Sequence, residues 1–375
     1  MKKLTGLLLA VLLMLMPVRV FADGDADTVS LPLCTALVEA QTGMLLGGDQ
    51  SDLPAAIGSQ TKLMTVLLTA EAVADGRLTA DTVITVSPSA EGVSGATVWL
   101  LGGEQMTVSD LLKAVIIGNA NDAATALACR ISGSEAAFVM DMNAQAFSLG
   151  MRSTRFADCT GLSDENIGTA YDLALLCCAL LRHSWLIPLF TTWRDFLRDG
   201  ATELVSENRL TRTYEGILGM KAGHGDACGQ TLTLAAEQDG MRCIAVVLGC
   251  GDEDERFALG KQLLAQGFSG YYVTTPDFST EFLRPVTVRH GIGEAVLAES
   301  GDLRAVAVPQ RASLSCIVIL PQYAEAPVCA GDVLGEIAFY CDDTLLYETP
   351  LIAADDVPYR GFRETFCLLL ENLFR

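Results

Sequence analysis

Ser59-Gln60-Thr61-Lys62 sets a hydroxyl and an amine three residues apart, so on a helix both side chains would lie on the same side of its first turn. A partly desolvated lysine beside a serine can take its proton, and the pair then works as nucleophile and general base. The tetrapeptide alone is common and fits an ordinary capping serine equally well. Two further segments follow it in order: Gly118-Asn119-Ala120-Asn121-Asp122-Ala123, then Lys221-Ala222-Gly223-His224. They add side-chain amides and a second ammonium group. His183, His224 and His290 are scattered, without acids or cysteines at ligand spacing, so no catalytic metal is expected. No glycine-rich strand-to-helix fingerprint is present, and no cofactor is expected.

The elements that must position these groups are legible in outline. Thr35 to Glu39 and Met44 to Leu46 read as strands joined at Gln41-Thr42-Gly43. Thr61 to Asp75 is apolar at helical spacing and stops at Gly76, which puts Ser59 at the helix's N-terminal edge. Thr107 to Ala114 predicts a capped helix, broken at Gly118 to Asp122 before a second helix over Ala123 to Ile131, so Asn119 and Asn121 are expected on the connecting turn. A mostly helical stretch is expected to about Phe196. Gly229 to Ala236 and Met241 to Leu248 predict a hairpin, with Lys221 to His224 opening a neighbouring strand and a helix over Arg256 to Gln266. From about residue 279 short strands and turns predict a small β-sandwich.

At 50% hydrophobic and 19% charged, the 375 residues make a packed globular chain, and their number favours two domains. The net charge of −21 is spread along the chain, which excludes a nucleic-acid partner. Lys2 and Lys3, the apolar run Leu7 to Met16 and Val20-Phe21-Ala22 predict a cleaved signal peptide over residues 1–22. Its removal takes three cations and no acid, leaving an exported chain of charge −24. The twelve cysteines sit singly at irregular spacing, most inside apolar runs, and read as small buried hydrophobes rather than bridges. At the C-terminus Phe362, Phe366, Leu369, Leu370, Leu373 and Phe374 share one helical face over residues 360–375. That face either docks on the preceding strands or lies in a membrane interface. The second is favoured because no later element covers it, although the helix lacks a basic face.

The three ordered segments resemble the S-x-x-K, S-D-N and K-T-G set of penicillin-binding proteins, in particular the low-molecular-weight D-alanyl-D-alanine carboxypeptidases. Ala36 to Gly43, Gly103 to Leu112, Leu149 to Phe156, Thr160-Gly-Leu162, Thr169 to Asp172, Asn208-Arg-Leu210 and Asp239 to Arg242 are similar to family segments in the family's order. The resemblance implies an α/β (α+β) serine transpeptidase/β-lactamase-like domain over 30–275, with an antiparallel sheet flanked by helices. A β-sandwich over 279–355 and an amphipathic helix over 360–375 would follow. It implies Ser59 as the acylated nucleophile, Lys62 as its base, and Asn119 as a third catalytic residue. Asn121, Lys221, Ala222, Gly223, His224 and Arg256 would bind substrate, with the Ser59 and His224 N–H groups as oxyanion hole. Peptidoglycan stem peptides are the implied substrates and β-lactams the implied inhibitors.

Two positions depart from the pattern: Asn119 stands where the second motif has serine, and Ala222 where the third has threonine. An amide cannot relay a proton as a hydroxyl can, a loss of about 100-fold on the usual scale of acid–base catalysis. One neutral hydrogen bond is worth roughly threefold to tenfold. These departures support a rival reading, a homologue that binds wall peptides without turning them over. A β-lactamase is disfavoured, since no acidic residue stands in a recognisable deacylation motif between Asn121 and Lys221.

Overall fold

The computed structural model describes residues 31–374 except 277, 280 and 282, so the signal expected over 1–22 lies outside the described residues. Cys34–Glu39 (β1) is buried at every position, as a strand covered on both faces must be. It belongs to a six-stranded antiparallel sheet with Leu45–Gly47 (β2), Ile217–Gly219 (β3), Ala222–Gly225 (β4), Gly229–Gln238 (β5) and Met241–Cys250 (β6). The order is β4-β5-β6-β1-β2, with β3 also paired to β5. Asp239 and Gly240, both at positive φ, make the two-residue turn between β5 and β6.

Side chains alternate between two apolar layers. Ala36, Val38, Ile244, Val246 and Leu248 face one layer, and Leu37, Cys243, Ala245 and Val247 the other. The first layer is completed by helices Lys62–Ala74 (α1), Val108–Ile116 (α2), Asn121–Ser132 (α3), Glu135–Ser148 (α4) and Ala170–Leu181 (α5). The second is completed by Phe257, Leu263 and Leu264 of Glu253–Gly270 (α6). At about 1.5–3 kcal/mol for each large side chain, these layers are the main stabilising term of the sheet. Thr107 and Asp252 cap α2 and α6 by accepting from the Asp110 and Glu255 N–H groups. α1 has no side-chain cap, and Gly58–Thr61 leads into it as a 3-10 turn.

Two expectations change. Asn121 is the first residue of α3, not part of the turn before it. The stretch expected to be mostly helical is interrupted from Leu149 to Thr169, where backbone groups bond to Asp158 and Asn166 side chains instead of a helix ladder.

Tyr271–Thr274 follows α6 directly and pairs with Val306–Pro309, leading the chain into a β-rich region. There a four-stranded antiparallel sheet built on Val333–Cys341 and Thr344–Ala353 faces a three-stranded sheet built on Val286–Arg289. Val286, Val288 and Val296 of the smaller sheet share one apolar cluster with Ala353 of the larger. The helix Phe362–Leu373 (α7) ends the chain with Phe362, Phe366, Leu369 and Leu373 all more than half exposed. All twelve cysteines are free, and eight of them are buried.

Candidate active site

Ser59 sits in the 3-10 turn before α1, and the neighbouring residue holds that turn in place. Gln60 is fully buried and donates from Nε2 to Lys221 O (3.2 Å) and Thr231 Oγ1 (3.1 Å), while its Oε1 accepts from Thr233 Oγ1 (2.9 Å). One side chain thus ties the serine's turn to β5 and to the residue just before β4. The contact leaves no slack: a Cβ on Gly223 would lie 2.7 Å from Ser59 Cβ.

Lys62 is the first residue of α1 and 2% exposed, with Nζ donating to Thr160 O at 2.6 Å. Among the described residues that is the one hydrogen bond of Nζ. Burial, then the positive charge of Lys221, draws its pKa down to about 7, against the opposing pull of Asp158, Glu207 and Cys159. A buried lysine poised there can accept a serine proton near neutral pH. Thr160 is held by Asp158, whose carboxylate accepts from the Thr160, Gly161 and Ser163 N–H groups at 2.6 Å each and from Asn166 Nδ2 at 3.0 Å. Burial works against the Asp158 charge, but those donors outweigh it and its pKa falls below the ordinary value.

The opposite wall comes from the α2–α3 junction. Asn119 occupies the turn at φ +56°, a region asparagine tolerates better than most residues. Its Nδ2 donates to Ser59 Oγ (3.3 Å) and to Glu207 Oε1 (3.0 Å). Asn121 Nδ2 donates to Ser94 O at 2.7 Å, turning Oδ1 away from the backbone. Lys221, 5% exposed, donates to Val115 O at 3.4 Å; burial lowers its pKa to about 8, with Glu207 opposing.

These groups enclose a cavity of about 470 Å³ lined by Ser59, Lys62, Asn119, Asn121, Glu207 and His224, with the 160–164 loop and residues 225–228 at its edge. Lys221, Ala222, Gly223 and Arg256 are not on its surface. Ala222 belongs to the apolar layer under α6. Arg256 is 2% exposed, and its guanidinium donates to Gly223 O (2.6 Å) and Thr231 O (3.3 Å), bracing β4 from behind. Three acceptor oxygens among the cavity residues, on Asn119, Asn121 and Glu207, are buried without a protein donor.

Sequence reasoning missed Glu207, Gln60 and the Asp158 loop. Glu207 directly precedes the Asn208-Arg-Leu segment, and it is an acid between Asn121 and Lys221 that reaches the cleft after all. No local signal marks it, because its partner Asn119 lies 88 residues away.

Comparison with known proteins places the chain in a family. Residues 33–252 match the profile of the D-alanyl-D-alanine carboxypeptidase family, and residues 305–359 that of the penicillin-binding protein 5 C-terminal domain. The D-alanyl-D-alanine carboxypeptidase DacF of Bacillus subtilis is 31% identical over 96% of this chain and 95% of its own. Penicillin-binding protein 5 of Haemophilus influenzae has the same fold, with a TM-score of 0.78 over 87% of this chain and 97% of that one at 24% identity. Penicillin-binding protein D2 of Listeria monocytogenes, solved in an ampicillin-bound form, aligns at 31% identity and TM-score 0.57 over 63% of this chain and 96% of its own. With a family profile that runs from β1 through the Ser59 turn to the end of β6, the chain belongs to the D-alanyl-D-alanine carboxypeptidase family of serine peptidases.

Proposed function

We propose that this carboxypeptidase removes the terminal D-alanine from peptidoglycan stem peptides through an acyl-enzyme on Ser59, outside the cytoplasm. The observation that carries the reading is that Ser59, whose Oγ accepts from Asn119, and the buried Lys62 line the same cavity, one helical turn apart. Neutral Lys62 takes the Ser59 proton as Oγ attacks the carbonyl of the D-Ala–D-Ala bond. The carbonyl π pair moves onto oxygen, where the N–H groups of Ser59 and His224 would receive it. The tetrahedral centre collapses, the proton passes to the leaving amine, and D-alanine departs. Water then cleaves the ester and restores Ser59.

Asn121, on the cavity wall, would hold the peptide backbone. Lys221 would act on the substrate carboxylate from beneath the cavity surface, and Arg256 would act indirectly, by fixing the strand that carries Gly223 and His224. Ala222 leaves that carboxylate one hydroxyl poorer. β-Lactams, which the Listeria protein binds, would acylate the same serine. Residues 360–375 would rest against a membrane, since the apolar face of α7 is exposed.

The test is labelling with a fluorescent penicillin, followed by mass mapping of the adduct and assay of D-alanine release. Wild type is expected to carry one adduct, on the peptide containing Ser59, and Ser59→Ala to lose both adduct and D-alanine release. An adduct on another residue, or turnover surviving in Ser59→Ala, overturns the reading.

A further inference from the structure

Glu207 is the one carboxylate among the cavity-lining groups that bonds directly to a partner of the serine. It lies between the strand Thr202–Val205 and the turn Arg209–Arg212, with its side chain a third exposed. Oε1 accepts from Asn119 Nδ2 at 3.0 Å, and the same nitrogen donates to Ser59 Oγ at 3.3 Å. Oε2 is buried without a hydrogen-bond partner and stands 3.9 Å from His224 Nδ1.

An ionised carboxylate can only accept. The Asn119 amide must therefore turn its NH₂ group to Glu207, because the flipped amide would set Oδ1 against Oε1, acceptor on acceptor. The backbone cannot absorb the choice. Asn119 is held at φ +56°, and the next residue, Ala120, donates its N–H to Ala114 O at 3.0 Å. With the amide fixed this way, Ser59 Oγ accepts a hydrogen bond from Asn119 and cannot pass its proton there. A hydroxyl at position 119 could rotate to give or to take. Asparagine beside a carboxylate can only give.

We infer that Glu207 is a positioning residue: it locks the Asn119 amide as a donor to Ser59 Oγ, which leaves Lys62 as the sole outlet for the serine proton. In the acylation step the Ser59 O–H bond breaks, an N–H bond forms on Lys62, and the Oγ lone pair bonds to the carbonyl carbon. Glu207 gains and loses nothing. The inference rests on the reading of Ser59 as nucleophile.

The same carboxylate also faces the charges around the base. Lys221 drives the proton off Lys62, while Asp158, Glu207 and Cys159 hold it on. Neutralising Glu207 thus has a second signature, a shift of the acid limb of the acylation profile toward lower pH.

The experiment measures second-order acylation by a fluorescent penicillin against pH in wild type, Glu207→Gln, Glu207→Asp, Asn119→Ser and the Glu207→Gln/Asn119→Ser double variant, with thermal unfolding of each. Glu207→Gln is expected to acylate about tenfold more slowly at the optimum, the lower end for a hydrogen bond to a charged group, and to move its acid limb down. Glu207→Asp, which keeps an ionised acceptor, is expected to retain more of the rate. In the Asn119→Ser background, Glu207→Gln should change the rate less than about threefold, since the amide it orients is gone. Equal rates in wild type and Glu207→Gln, an aspartate variant slower than the glutamine one, or an undiminished effect in the Asn119→Ser background would each overturn the inference. If wild type forms its adduct on Ser59 and Glu207→Gln reacts as fast, only the role of Glu207 falls. If wild type forms no adduct on Ser59, the nucleophile reading falls and this inference with it.

Discussion

Two buried lysines sit close enough to disturb each other. In the proposed mechanism Lys62 must be neutral to take a proton, so the rate would rise as pH climbs through about 7. Lys221 would have to be charged to draw a carboxylate, so binding would weaken as pH climbs through about 8. A narrow bell in kcat/KM for D-alanine release is the expected outcome, and a profile flat from pH 6 to 9 would mean that Lys62 is not the base. The same shifts bear on stability with a definite sign. Each lysine is held below its ordinary value, so between about 7 and 10.5 the unfolded chain binds the proton that the folded chain has lost. Stability from this source therefore recovers as pH rises through that window. Ser59 and Lys62 were legible because their relation is three residues long. Glu207 and Gln60 were not, because their partners stand 88 and more than 150 residues away, and a lone glutamate or glutamine carries no sign of its partner.

At the scale of elements, the cleft depends on a strand passing over a turn with nothing between them. Gly223→Ala would put a methyl 2.7 Å from Ser59 Cβ, so β4 or the Ser59 turn must move. A displacement of about 1 Å at a reacting atom can cost on the order of 100-fold. Penicillin acylation of Gly223→Ala is accordingly expected to fall by about that much, with far-ultraviolet circular dichroism unchanged. Acylation at the wild-type rate would show that the contact has room to spare. The strands and helices around this contact were largely readable, since β6 holds a continuous apolar run, β1 and β5 are short apolar and threonine-rich segments set off by turns, and α1 and α5 carry long apolar stretches. The 149–169 segment was not, because one aspartate and one asparagine replace its helix ladder and periodicity does not register such bonds. The start of α3 was misplaced by two positions, Ala123 for Asn121, for the ordinary reason that helix ends are soft.

At the scale of the whole molecule, an acidic chain carries an exposed apolar face on its last described helix. The chain is strongly acidic, at −21, whereas α7 presents Phe362, Phe366, Leu369 and Leu373 to solvent with Arg363 as its single described cation. Flotation with neutral liposomes is expected for the full chain and not for one ending at Tyr359, and anionic liposomes should bind less well until salt screens the repulsion. Equal flotation of the two versions would mean that the helix folds back on its own strands. The free thiols extend the account from structure to time. Cys316, Cys329 and Cys367 are exposed and should react with a thiol reagent at once, whereas seven buried thiols lie from Cys34 to Cys250 and one, Cys341, in the β-rich region. A buried thiol reacts only when its surroundings open, so its labelling rate clocks local unfolding. Mass spectrometry of partly labelled protein should thus record an opening history. If Cys341 is modified while Cys177 and Cys243 stay silent, the β-rich region opens on its own while the cleft remains assembled; simultaneous labelling would mean that the chain between Cys34 and Cys341 opens as one cooperative unit.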